Sequence, residues 1–165
     1  MFKLGERIIY GSEGVFIVSD YSSSPVDKND GRVFYILKSA FGNDNNIIYT
    51  PTDNTNVIMR SVMSREQAAC FIDRIPDIAP LVVEHEKMRR ECYRAVMACA
   101  ESEGYVSLIK AVQERRAQYA KQKKRASDVD VDYEKKAKYC LYGELSSALD
   151  IPFADVEKYI SNKIN

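Results

Sequence analysis

Apolar and polar residues interleave from the first positions of the chain: Phe2, Leu4, Ile8 and Tyr10 alternate with Lys3, Glu6 and Arg7. That pattern describes a strand with one buried and one wet face. Gly11 and Gly14 bracket a tight polar turn, and Val15-Phe16-Ile17-Val18 resumes the strand. Further runs rich in β-branched and aromatic residues occupy 32–38, 46–50 and 57–59. They are separated by a polar hairpin loop at 22–31, a turn cluster at 42–45 and the breaker Pro51-Thr52-Asp53-Asn54. Five short strands within 1–63 predict a five-stranded antiparallel barrel of the SH3 or Tudor kind.

At Ser64 the period lengthens to that of a helix. Ser64-Arg65-Glu66-Gln67 has the spacing of a capping box, and Ala68, Phe71 and Ile72 follow on one face, predicting a linking helix over 64–75. Pro76 and Pro80 mark a connection, and 84–165 reads as an all-helical bundle. Its first helix, 84–101, is expected to bury Met88, Cys92, Ala95, Val96 and Cys99 and to stop at Gly104. A second, 105–125, buries Tyr105, Leu108, Ile109, Val112 and Tyr119; Ser127-Asp128 forms a turn and cap. A third, 131–149, carries Tyr133, Ala137, Cys140, Leu141, Leu145 and Leu149, and a short helix with Phe153, Val156, Tyr159 and Ile160 closes the chain. The fold class is α+β, β then α.

Composition narrows the function by exclusion. Lys plus Arg and Asp plus Glu number 24 each, so net charge names no partner. No apolar run has membrane-spanning length and no leader precedes the first strand, which points to a cytoplasmic protein that does not engage a membrane. Cys70, Cys92, Cys99 and Cys140 lie too far apart for a zinc knuckle and in apolar contexts, so buried reduced thiols and no metal are expected. The single histidine, His85, flanked by Glu84 and Glu86, has no evident nucleophile to serve and reads as a surface residue. Gly11-Ser12-Glu13-Gly14 lacks the lysine of a phosphate loop. Asp128, Asp130 and Asp132 lack the glycine and closing glutamate of a calcium loop and suit a helix start. Neither an enzyme, a cofactor nor a small-molecule substrate is expected.

The basic residues say more. Between 110 and 125 stand Lys110, Arg115, Arg116, Lys121, Lys123, Lys124 and Arg125 against the single acid Glu114. Lys110, Lys121, Lys124 and Arg125 fall opposite the apolar stripe of their helix, and Lys87, Arg90 and Arg94 do the same one helix earlier, with Tyr93 and Met97 near that outer face. A cationic face with an interleaved aromatic can grip a nucleic-acid backbone; it can equally be a solvated face whose aromatics pack on a neighbouring helix. In the sheet, Ile47, Ile48 and Tyr49 are consecutive and large, so at least one points outward. Such an edge can recruit a partner strand, unless the helix beginning at Ser64 covers it.

The chain resembles the CarD/CdnL family of bacterial transcription regulators, whose N-terminal module is shared with the transcription-repair coupling factor. The resemblance rests on residues 2–10 with Gly14-Val15, on Tyr35-Ile36-Leu37, Pro51-Thr52-Asp53-Asn54, residues 59–68 and Leu141-Tyr142-Gly143-Glu144-Leu145. It implies a Tudor-like domain that pairs a strand with the RNA polymerase β subunit, and a helical domain that contacts promoter DNA at the upstream edge of the bubble and stabilises the open complex. Carried over, the pairing strand is Ile47-Ile48-Tyr49-Thr50 and the DNA-facing helix bears Arg89, Arg90, Tyr93 and Arg94. Lys121, Lys124 and Arg125 extend the DNA face on charge pattern. Family members commonly wedge a tryptophan into the minor groove; this chain has none. Arg89 aligns there, and Tyr93 is the substitute wedge. Gly11 stands where the family has a proline after the opening strand.

Overall fold

Strand pairing begins where the alternation becomes strict. A computed structural model of the chain describes residues 1–25, 29–42 and 46–164. It contains β1 (Arg7–Tyr10), β2 (Val15–Ser23), β3 (Val33–Ser39), β4 (Ile47–Pro51) and β5 (Met59–Ser61), all antiparallel, in the order β4-β3-β2-β1-β5. The central parts of the expected hairpin loop and turn cluster lie outside the described residues. β1 starts five residues later than the alternation suggested. Gly5, with φ +79°, turns the chain, and its N–H donates to the Val18 carbonyl at 2.8 Å.

The sheet is open, which corrects the expected barrel. No ladder joins β4 to β5 among the described residues. β5 is three residues long, pairs only with β1, and turns at once into the helices, so it cannot reach across to close the sheet. One face of the sheet buries Ile8, Phe16, Val18, Tyr35 and Leu37. The N-terminal segment covers this core: the Phe2 N–H donates to the Tyr35 hydroxyl at 2.9 Å, and the Tyr21 hydroxyl donates to the Phe2 carbonyl at 2.6 Å. Ile9 and Val15, on the other face, meet Ala100 of the helical half.

Five helices follow: α1 (Arg65–Arg74), α2 (Arg89–Cys99), α3 (Ser102–Lys121), α4 (Asp128–Leu149) and α5 (Val156–Ile164). The capping box forms at α1, where Ser64 Oγ accepts the Gln67 N–H and Gln67 Oε1 accepts the Ser64 N–H. Gly104 does not stop a helix. Ala100 in the left-handed region ends α2, and Gly104 lies in the first turn of α3, where an added Cβ would sit 3.1 Å from Val96. A side chain there would hold α2 and α3 apart.

The buried face of α2 is rotated from the one expected: Val96 packs against the core and Cys92 is half-buried, but neither is at its centre. Tyr93 is 0% exposed and Met97 3%, while Met88 is 50% exposed and Ala95 and Cys99 face outward. Both faces of this helix carry apolar residues, and the bulkier pair enters the core. The expectation of buried thiols fails with it: Cys70 and Cys99 are exposed, Cys92 is half-buried, and only Cys140 is buried. No helix is long and apolar enough to cross a membrane, and no cluster of three metal-ligating side chains occurs, among the described residues.

Sheet and helices meet over Gly14 and β5. At Gly14, with φ +94°, an added Cβ would come 3.1 Å from the Tyr139 ring, so glycine permits both the turn and the approach of α4. Glu144 of α4 is wholly buried and takes a two-pronged ion pair from Arg60 of β5 at 2.5 and 2.8 Å, besides the Met63 N–H and the Ser102 hydroxyl. Arg60 also donates to the Ala100 carbonyl from Nε and Nη2. Removing either partner of this pair would leave the other buried and uncompensated, so the pair fixes sheet against helices.

Candidate interaction surfaces

The four residues expected to pair with a partner strand form β4 with its flank of outward main chain. Alternation sorts them into two pairs. Ile47 and Tyr49 point outward, 42% and 49% exposed, whereas Ile48 packs against the sheet core and Thr50 is buried, its hydroxyl accepting from Asn54 Nδ2 at 2.8 Å. The Ser39 N–H donates to the Asn46 carbonyl and the Thr52 N–H to the Val33 carbonyl. Hydrogen-bonded pairs alternate along an antiparallel ladder, so Asn46, Ile48, Thr50 and Thr52 turn their main chain to β3. Ile47 and Tyr49 turn theirs to the open side. Helix α1 packs against α4 and α5, leaving the edge uncovered among the described residues.

The cationic end is built differently. Glu86 accepts from Arg115 at 2.6 Å and from Arg89 at 2.8 Å. Arg89 also donates to Ser127 Oγ at 3.1 Å and lies 3.4 Å from buried Asp130. These contacts gather the starts of α2 and α4 and the second half of α3 at one end of the molecule. Tyr93 belongs to this knot and not to the surface: its hydroxyl donates to Asp130 at 3.0 Å. Burial, with that hydrogen bond, pushes the Tyr93 hydroxyl up to about 12. The Arg115 hydrogen bond holds the Glu86 carboxyl below the usual range. A wedge at Tyr93 is therefore ruled out by its packing, and Arg89, 15% exposed in its side chain, is engaged by carboxylates.

The remaining basic residues divide. Arg94 is exposed but paired with Glu91 at 2.5 Å. Lys110 is half-buried and engaged, its Nζ donating to the carbonyls of Ile75 and Ile78 at 2.6 Å each and of Pro76 at 3.1 Å. Arg90, Lys121, Lys124 and Arg125 are exposed and form no ion pair among the described residues. Lys123, at φ +54°, closes α3 and directs the chain toward α4.

Sequence reasoning missed the Arg60–Glu144 pair and the role of Asp130. A signal for the first was present: Glu144 shares the buried stripe of Leu141 and Leu145, and an acid there needs a cationic partner. Fold and surface together define an α+β protein in which an open five-stranded antiparallel sheet, with β4 and β5 as its edge strands, is followed by a helical bundle. No family model matches the chain, and no curated protein matches it significantly.

Proposed function

We propose that this protein is a bacterial transcription regulator that docks on the RNA polymerase β subunit by adding a strand to β4, the sheet acting as a Tudor-like module. Its helical end lies against promoter DNA without reading sequence and modulates open-complex stability. The observation that carries the reading is the free β4 edge, where Ile47 and Tyr49 offer outward side chains and outward main-chain groups side by side. Strand addition uses both: main-chain hydrogen bonds give affinity and alternate side chains give specificity. On the DNA side Arg90, Lys121, Lys124 and Arg125 would contact phosphates, which position a protein without specifying sequence. Such a role belongs in the cytoplasm.

Binding of the full chain to the polymerase β subunit tests the docking. Ile47→Glu with Tyr49→Glu should weaken it on the order of 100-fold, the loss expected of interface anchors. The fold should persist, because both side chains already face solvent. Unchanged binding would remove the docking assignment.

A second reading keeps the polymerase contact and drops the DNA. What favours it is the carboxylate pairing of Arg89 and Arg94 together with the burial of Tyr93. Band shifts on forked promoter DNA, with and without polymerase, separate the two.

A further inference from the structure

A groove of about 980 Å³ runs between the exposed face of α4 and the Gly11–Glu13 turn of the sheet. That volume suits a small-molecule ligand or one unit of a larger one. Three half-buried rings, Tyr139, Tyr142 and Phe153, line it, with Phe153 5.8 and 6.2 Å from the other two. Lys135 and Lys136 border it, exposed and in no ion pair among the described residues. Glu134 also lines it, only 5% exposed.

The carboxyl of Glu134 is half engaged. Arg116 donates to Oε2, while Oε1 accepts no hydrogen bond. Lys138 lies 3.6 Å from Oε1, beyond hydrogen-bond reach, and donates instead to Glu157 at 3.1 Å. The Lys138 ion pair offsets part of the cost of a buried carboxylate oxygen that accepts no hydrogen bond, and a ligand N–H recovers the rest. Asp132 and Glu13 also border the groove, so a wholly anionic ligand does not suit it. The fitting ligand combines a flat face for the rings, N–H donors for Glu134 and an anionic end for the two lysines.

We propose that this groove binds a nucleotide unit, with its base against the rings, base N–H groups on the Glu134 carboxylate (Oε1 and the remaining lone pair of Oε2) and phosphate on Lys135 and Lys136. Guanine suits the carboxylate best, because its N1–H and N2–H₂ donate side by side, whereas adenine sets an acceptor beside its amine. Lys138 keeps Glu157 as its partner when the base arrives. The unit can come from a free guanine nucleotide or from a guanine in a single strand, where stacking on aromatic side chains is the usual grip.

Calorimetric titration of the full chain with GDP, ADP and inorganic phosphate tests the site. GDP should bind saturably and about tenfold tighter than ADP, the discrimination one paired donor set supplies. Glu134→Gln should erase that preference. Lys135→Ala with Lys136→Ala changes exposed positions only and should weaken both nucleotides alike. A short guanine-bearing single-stranded oligonucleotide identifies the source: competition with GDP assigns a strand, and binding of GDP alone assigns the free nucleotide. Absence of saturable binding by GDP and by the oligonucleotide, or affinity indifferent to the lysine double variant, overturns the site. The groove borders β4 at Asn46 but takes in neither Ile47 nor Tyr49, so Tyr49→Glu alone, three residues from that border, tells its failure apart from that of the docking reading.

Discussion

The β4 rim and the cationic end of the helices each announce themselves in the sequence by one cluster of residues, yet they are finished in opposite ways. At the rim nothing among the described residues consumes what the strand offers: Ile47 and Tyr49 and their main-chain groups face outward. At the helical end the fold uses much of its own charge, with Glu86, Glu91 and Asp130 drawing in Arg89, Arg94 and Arg115. The number of cations in a stretch therefore overstates what a phosphate would meet there. Availability is set by neighbours distant in the chain, and among the described residues it survives for Lys87, Arg90, Lys121, Lys123, Lys124 and Arg125.

Two tyrosines expected on these two surfaces give the largest contrast. Tyr93→Ala should destabilise the fold by about 3–5 kcal/mol, the cost of emptying a large aromatic site in a core. Tyr49→Ala should change stability by no more than about 0.5 kcal/mol, since its ring already faces water. Urea denaturation of both variants measures the pair. Equal losses would mean that the rim is core and has no free side chain to offer.

Removing only the hydroxyl sharpens the same contrast. Tyr93→Phe should cost about 1 kcal/mol at neutral pH, because Asp130 loses one donor while Arg89 remains beside it. Tyr93 ionises at about 12 in the fold against 10.0 ordinarily, so its contribution is complete below pH 10 and lost as pH rises toward 12. Burial likewise raises the Cys140 thiol from 9.0 to about 11, and its contribution is lost from pH 9 toward 11. Unfolding midpoints followed up to pH 12 should fall in the native chain from about pH 9 onward. In Tyr93→Phe the part of the fall between 10 and 12 should shrink; an unchanged profile would contradict the buried hydroxyl.

Much of the architecture could be read from local pattern, because local pattern is what causes it. Ser64 and Gln67 sit at capping distance whatever else the chain does, and the alternation in β2 and β3 needs only its own residues. Closure of the sheet could not be read, since it depends on whether three residues at 59–61 reach β4. Nor could the orientation of α2. Met88, Cys92 and Cys99 make one apolar face and Tyr93 and Met97 another, and the choice is made by Asp130 and by Tyr133, 5.5 Å away on α4. Arg60 and Glu144 are 84 residues apart, so nothing in either neighbourhood names the other. At the candidate surfaces the strand position was legible and its inward and outward halves followed from the period of two; the pairing of the cations was not.

The smallest effect bears most directly on whether DNA is a partner. Glu91→Gln leaves Arg94 in place and removes the carboxylate 2.5 Å from it, freeing one cation on the outer face of α2. Both side chains are exposed, at 71% and 49%, and a surface pair of this kind contributes about 0–1 kcal/mol, so the fold should be unmoved. If the helical end lies on phosphates, the variant should bind forked promoter DNA a few-fold tighter, with a log–log salt slope steeper by about 0.9. Lys124→Ala should move both quantities the other way. Because neither change disturbs packing, a shift in either direction reports charge at the DNA surface and not unfolding. Slopes that stay put in both variants would remove DNA from the proposed partners and leave these cations as a solvated face.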